Sequence, residues 1–557
     1  MTRRFPRAPH GGTVLAWTSA GAIPLAFLTI FFAWPVVTLV GRGFFPDGFF
    51  TLDGFLQVFS EDRTWRVIRT TLAQAAAGTV VSVLLGVPGA WVLYRTRFPG
   101  RWLVRAVVTV PFVLPSVVVG VAFKGLVIST GPLGHLNLDG EFAVIVASLV
   151  FFNYAVVVRT VGALWASLDP RTEQAASVLG ASPRRVFWTI TIPALAPAIA
   201  SAAALVFLFC ASAYGVVMVL GGASYGTIET EIWFLTTQLL DLTGAAALSI
   251  VQLVVGGTAL IIASRLQATQ ARAQRLRTDE SMEAPWSRRR DGGPSLVTAV
   301  VVLGLLVFPL ATLVQRSLAT ASGHGLEHYA NLATTGGGTL SVPVWVAAAN
   351  SLRTASVATV LALVLGLLVS LVVSRRPRNE AGRRALGLLD GAFMLPLGVS
   401  AVTVGFGFLI TLNRPPLDLR SSLALVPIAQ AIVALPLVVR VLLPVLRAID
   451  PRLREAAAVL GAGPGKVLRD IDLAFLGRGL GLATGFAFAT ALGEFGATSF
   501  LARPDQPTLP VVVFRLIGRP GADNQGMGFA AAVLLAVGCA IVMGLAERMR
   551  PQEATTW

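Results

Sequence analysis

Charge is scarce in this sequence. Of 557 residues only 13% are Asp, Glu, Lys or Arg, about half the share of a soluble globular chain. That scarcity, with 55% of residues hydrophobic, excludes a water-soluble fold of this length. Cysteine is nearly absent. Cys210 and Cys539 both lie inside apolar runs, which excludes a disulfide framework or a zinc knuckle and fits two buried small hydrophobes. Histidine is rare too, with four residues. His324 and His328 stand four apart without a third ligand, and read as solvated loop residues rather than a metal site. His10 and His135 have no apparent partners. No Ser/His/Asp set, paired carboxylates or Walker A loop occurs. Gly461-Ala-Gly-Pro-Gly-Lys466-Val467 lacks the Ser/Thr that would hold Mg²⁺ and a strand before it. An enzyme in its own right is therefore not expected.

What the sequence has is length in apolar runs. Stretches near the ~20 residues that cross a bilayer as helix recur throughout, so the fold class is an all-α polytopic membrane protein. The spans expected are 14–40, 70–94, 104–128, 142–163, 194–220 and 243–264, then 295–315, 350–374, 386–411, 421–446, 475–501 and 527–546. The first, after Arg3, Arg4 and Arg7, is too long for a signal peptide and is read as a retained span. The net charge of +16 follows arginines clustered in alternate loops. Arg95, Arg97, Arg101 and Arg105 follow the second span; Arg375, Arg376, Arg378, Arg383 and Arg384 follow the eighth. This is the positive-inside bias, so both termini are expected in the cytoplasm, and nucleic acid is not an expected partner.

The chain repeats itself. Asp169-Pro-Arg-Thr-Glu-Gln-Ala-Ala-Ser-Val-Leu-Gly-Ala-Ser-Pro183 aligns without a gap on Asp450-Pro-Arg-Leu-Arg-Glu-Ala-Ala-Ala-Val-Leu-Gly-Ala-Gly-Pro464, 281 positions on. Pro115 and Pro396, Arg159 and Arg440, Gly215 and Gly496, and Thr227 and Thr508 keep that offset. Two tandem six-helix halves are expected, 1–264 and 295–557, joined by a polar cytoplasmic linker at 265–294, flexible or partly helical. Six spans separate equivalent points, so both halves run the same way and a pseudo-twofold axis along the membrane normal follows. In each repeated stretch the Asp is an N-cap, the Pro sits at the first helical position, and Gly180 or Gly461 stops the helix. A second short helix opens at Pro183 or Pro464. The product is a helix–Gly–helix elbow.

Glu455-Ala456-Ala457-x-x-x-Gly461-Ala462 resembles the cytoplasmic-loop signature of ABC importer permeases. The first half offers Glu173, one place early, then Gln174-Ala175-Ala176-x-x-x-Gly180-Ala181. Ile190-Thr-Ile-Pro193 is similar to the apolar tail that follows the signature, while Ile471-Asp-Leu-Ala474 lacks its proline. The resemblance implies a type I importer permease. It also implies two copies of an ABC ATPase, one at each elbow, with ATP and Mg bound there rather than by this chain. An extracytoplasmic substrate-binding protein would dock near 221–242 and 502–525. Thr227-Ile-Glu with Ala245-Ala246-Ala247-Leu248 and Gln252, and Leu492-Gly-Glu-Phe-Gly496 with Thr508-Leu-Pro510, resemble fused thiamine and iron(III) permeases, thiamine more closely. An ion-coupled secondary transporter is the rival from another class.

Ionisable residues inside apolar runs are Lys124, Asp390 and Glu494. A carboxylate at Glu494 beside Phe495, with Tyr214 across the repeat, would suit a cationic aromatic substrate. An interfacial glutamate satisfied by a helix terminus is the other reading. Trp165 and Trp233 are expected as interface anchors.

Overall fold

The computed structural model describes residues 11–45, 48–222, 225–273, 284–321, 323–375, 380–413 and 417–549. Among them, nine helices are long and apolar enough to cross a bilayer. They are Ser19–Phe44, Asp62–Arg95, Phe142–Ser167, Pro183–Ala211, Leu242–Gln267, Arg288–Leu318, Val344–Val373, Leu425–Ala448 and Ala522–Arg548. Three bent pairs bring the number to twelve: Arg101–Pro111 with Ser116–Val127, Glu380–Leu397 with Ala401–Thr411, and Pro464–Gly477 with Gly479–Gly493. All twelve expected spans are present in order, six in each half.

The third and ninth spans are not the straight crossings expected. They turn by 102° and 95°. Leu114, held extended before Pro115, ends one helix, and Pro115 begins the next. In the second half Pro396 lies in a short 3-10 turn, and Ser400 caps the following helix by accepting from Thr403 N–H at 3.0 Å. Pro115 and Pro396 are thus not structural equivalents, despite their shared offset. Gly120 packs on Val219 and Gly405 on Ala497, and the helices carrying them begin at Ser116 and Ala401. The helix after the bend recurs 285 residues on, four more than the 281 that separates the elbows.

The fifth and eleventh spans also stop short. The helices end at Ala211 and Gly493, the chain breaks, and short helices Gly215–Leu220 and Thr498–Leu501 follow. The segments 227–242 and 502–525 are largely not external loops. Ile228–Phe234 and Leu509–Ile517 are helices folded into the body; Thr227 closes a capping box on the first, while Thr508 stands at the N-cap of the second without a side-chain bond. Ile228 N–H donates to Thr71 Oγ at 3.0 Å, and Leu509 N–H to Ser351 Oγ at 2.7 Å. The repeat persists down to single hydrogen bonds. What stays exposed there includes Leu239, Leu240 and the 518–523 turn.

Packing does not follow chain order. The first span lies against the eighth and ninth, with Phe31 and Phe408 rings 6.5 Å apart and Pro35 seated at Gly407. Reciprocally, the seventh span lies against the second and third. Trp91 Nε1 donates to Asp291 at 2.9 Å, and Arg316 donates to Thr130 O at 2.9 Å. Each half's leading span is therefore clasped by the other half.

That exchange alters the expected linker. Residues 274–283 lie outside the described part, but 265–273 continue the sixth helix. Ala284–Pro285 pairs in parallel with Thr96–Arg97 at the end of the second span. The seventh span then starts at Arg288, through polar residues, because Asp291 is buried and satisfied by Trp91, Arg290 and Ser287 N–H.

Several helices carry a wider π turn, at Thr29–Ala33, Phe187–Thr191, Val301–Val307 and Leu468–Leu473. Three precede Pro35, Pro193 and Pro309, whose rings would collide with the carbonyl one turn back in a regular helix. The fourth precedes Ala474, so its geometry survives without the proline.

Candidate functional site

Both elbows form as the residues dictate. Asp169 and Asp450 each accept the N–H two residues on, from Arg171 and Arg452, at 2.9 Å. The helices Arg171–Val178 and Pro451–Val459 end at Gly180 (φ 84°) and Gly461 (φ 85°). There a side chain would be strained, although among the described residues nothing lies within 4 Å of where its Cβ would stand. Ala181 N–H returns to Ala176 O at 3.0 Å, and Ala462 N–H to Ala457 O at 2.9 Å, closing the same C-terminal motif twice. Pro183–Val186 and Pro464–Val467 form the second arms.

The elbows stand out from the body. Gln174, Ala175, Glu455 and Ala456 are exposed, and neither first-arm helix buries a residue. At the tips Val178 and Leu179 are 86% and 88% exposed, and Val459 and Leu460 are 87% each. Glu173 differs: its carboxylate accepts from Thr191 Oγ at 2.8 Å and pairs with Arg95 at 3.4 Å. Its repeat position is Arg454, which explains why the glutamate of the first signature stands one place early.

The seam between the halves holds the other candidates. Tyr214 and Phe495 stack, with ring centroids 5.3 Å apart and planes 21° from parallel. Tyr214 Oη donates to Ser499 Oγ at 3.1 Å. Phe514 continues the aromatic run at 5.4 Å from Phe495, and Trp233 meets Phe514 edge-on at 6.4 Å. The break at Gly493 rests on the first half's bend, since a Cβ there would fall 2.9 Å from Pro115. Glu494 lies in this seam and is buried. Its carboxylate turns to the short helix after it, accepting from Ala497 N–H at 2.7 Å and Thr498 N–H at 3.0 Å. Of the two readings for Glu494, the helix-terminus geometry is thus present, beside the rings.

One acidic residue escaped the sequence reading. Glu229 sits in the stretch assigned to an outer loop, yet it is wholly buried between the halves. It accepts from Gln252 Nε2 at 2.7 Å and from Ser400 Oγ of the other half at 2.8 Å. The Thr227-x-x-Thr230 capping box was the available signal. It marks a helix start, hence a folded segment, where composition suggested loop.

Other expectations shift. Lys124 is paired to Asp139 at 2.7 Å and Asp390 to Arg447 at 3.3 Å; each pair keeps some exposure, so neither is an interior charge. Trp165 is core, packed on Trp91 with centroids 5.2 Å apart, and not an interface anchor. His328 is buried, its Nε2–H donating to Ala319 O at 2.8 Å, and not solvated. Cys210 and Cys539 are buried thiols, as expected.

A two-half bundle with apolar-tipped elbows and a sealed seam is the architecture of a transport permease. Residues 78–275 match the family model for the binding-protein-dependent transport system inner membrane component. The chain is the permease subunit of an ABC importer, a multi-pass inner membrane protein that is not itself catalytic; the family assigns ATP hydrolysis to a partner ATPase. It is similar along its length to the thiamine transport system permease protein ThiP of Brucella abortus (strain 2308), at 27% identity over 552 residues, 95% of this chain and 94% of that one. ThiP of Escherichia coli (strain K12) is 27% identical over 522 residues, 90% of this chain and 92% of the relative. The probable sulfate transport system permease protein cysT of Chlorokybus atmophyticus is 30% identical over 237 residues, 41% of this chain and 82% of that protein. A crystal structure of a bacterial ABC transporter that imports the acidic polysaccharide alginate matches at 20% identity and a TM-score of 0.40. That match covers 47% of this chain and 96% of that one.

Proposed function

We propose that this permease imports thiamine, received from an extracytoplasmic binding protein and passed along the seam between its halves. The observation that carries this reading is full-length similarity to thiamine permeases, and the seam's chemistry agrees with it. Thiamine is an aromatic cation. Tyr214, Phe495 and Phe514 present rings, and Glu229 and Glu494 present buried carboxyl groups. Iron(III), a hard cation, would call on the carboxylates and the Tyr214 oxygen and leave the Phe495 and Phe514 rings without a role. Two copies of a separate ATPase dock on the elbows at 169–187 and 450–468. There, burial of Val178, Leu179, Val459 and Leu460 stabilises the complex by roughly 1.5–3 kcal/mol each. The arginine-rich face carrying the elbows and both termini is cytoplasmic. The first half runs through the sixth helix to Ala273 and the second begins with the seventh span at Arg288. Closure of the ATPase dimer moves the elbows and rocks one half against the other, so access alternates.

The test is uptake of labelled thiamine and of ferric iron into vesicles holding the permease with its ATPase and binding protein, with and without ATP. Thiamine uptake that needs ATP supports the reading. ATP-dependent iron uptake alone replaces the substrate, and uptake driven by an ion gradient without the ATPase overturns the reading in favour of a secondary transporter.

A further inference from the structure

The two elbows are tied to the body at the same three positions, with the charges exchanged. In the first half Arg95, closing the second span, reaches Glu173 of the elbow at 3.4 Å and donates to Leu168 O at 3.2 Å. Thr191, in the π turn of the fifth span, donates to the same carboxylate at 2.8 Å. In the second half Arg375 closes the eighth span, Arg454 stands where Glu173 stood, and Asp472 stands where Thr191 stood. Asp472 accepts from Arg375 at 2.6 Å and from Arg454 Nε at 2.8 Å. Arg454 also donates to Leu446 O at 3.3 Å, at the end of the tenth span. The acid lies on the elbow in one half and on the span in the other, yet each triangle joins elbow, span end and π turn.

We propose that Arg95–Glu173–Thr191 and Arg375–Asp472–Arg454 are positioning residues that carry elbow movement into the span bundle, and that the second tether is the stiffer. A short helix hinged at two loops transmits force only if a side-chain bond fixes it to what it should move. The second tether has two short charge-assisted bonds on a carboxylate with no solvent exposure. The first has one longer ion pair and one bond from a neutral hydroxyl, on a carboxylate that keeps 24% of its exposure. Bonds between ions in a water-poor site are the stronger. The inference rests on the reading of the elbows as ATPase docking sites.

The experiment is pulsed EPR on the assembled permease–ATPase complex in lipid, before and after trapping with ATP and vanadate. Labels at Arg184→Cys and Gly465→Cys report the elbows, and labels at Leu136→Cys and Leu423→Cys report the opposite ends of the spans; all four sites are exposed. Cys210 and Cys539 are buried and contribute little background. With the tether intact, both distances change on trapping. Asp472→Thr is expected to leave the elbow displacement and at least halve the far-end one. Adding Arg454→Glu rebuilds the first half's triangle in the second and is expected to restore it. Arg454→Met, which keeps the Arg375–Asp472 pair, serves where Asp472→Thr does not reach the membrane, and is expected to show the same loss. Far-end displacement unchanged in these variants, or no recovery in the double one, overturns the tether. Elbows that do not move at all in the unsubstituted complex overturn the docking reading instead, and the tether with it.

Discussion

Tyr214 and Phe495 occupy the same position in the two repeats, and their rings stack on each other at 5.3 Å. Repeat-equivalent residues meet only where the pseudo-twofold axis passes between them. The stacked pair therefore marks the axis and closes the seam on it. Truncating Phe495 to Ala should remove about 0.5–1.5 kcal/mol of ring pairing beyond the loss of buried area. The expected outcome is an assembled complex whose ATPase runs faster without binding protein and depends less on it, read by ATP hydrolysis with and without that protein.

Glu229→Gln preserves side-chain shape and removes the ionisable group. Ser400 can still donate to the amide oxygen, so folding should be kept. On the proposed reading, in which thiamine meets this carboxyl group in transit, uptake should fall about tenfold, equivalent to ~1.4 kcal/mol. Equal uptake by Glu229→Gln and the parent protein would exclude this carboxylate from the pathway.

Glu494→Gln acts differently. One carboxylate oxygen becomes an amide NH₂, which cannot accept from Ala497 or Thr498. A buried N–H left unpaired costs about 1–3 kcal/mol. A lower melting temperature in detergent is expected, whatever happens to transport.

Gly180→Leu and Gly461→Leu place a side chain at φ 84° and 85°, strain of about 1–2 kcal/mol each, and thrust bulk outward where no described residue lies within 4 Å of the Cβ. The span bundle should stay folded while ATP hydrolysis uncouples from transport. Normal transport in a well-folded double variant removes the docking reading.

Asp291→Ala strips the acceptor from Trp91 and Ser287 N–H and leaves Arg290 without its carboxylate. A loss of about 1–3 kcal/mol is expected for leaving the buried donors unpaired, since Arg290 is exposed enough to be hydrated. Thermal unfolding of the purified protein should show it, because the seventh span would lose its hold on the second.

The sequence by itself determined the twelve apolar crossings, the two halves and both elbows down to their Asp caps and left-handed glycines. These are local matters: run length, capping chemistry and the freedom of glycine act within a few residues and leave a readable pattern. Tertiary structure decided what depends on a distant neighbour. Asp291 lies inside because Trp91 waits for it across the repeat boundary, so polar residues 288–294 became helix where a linker was expected. Glu229 lies between the halves because Gln252 and Ser400 satisfy it, although its own segment reads as loop. Glu173 and Arg454 exchange charge because Thr191 and Asp472 exchange with them, a compensation visible only once the three positions meet. Burial of a polar group is set by the partner that satisfies it, and that partner stands 18 to 200 residues away in these cases.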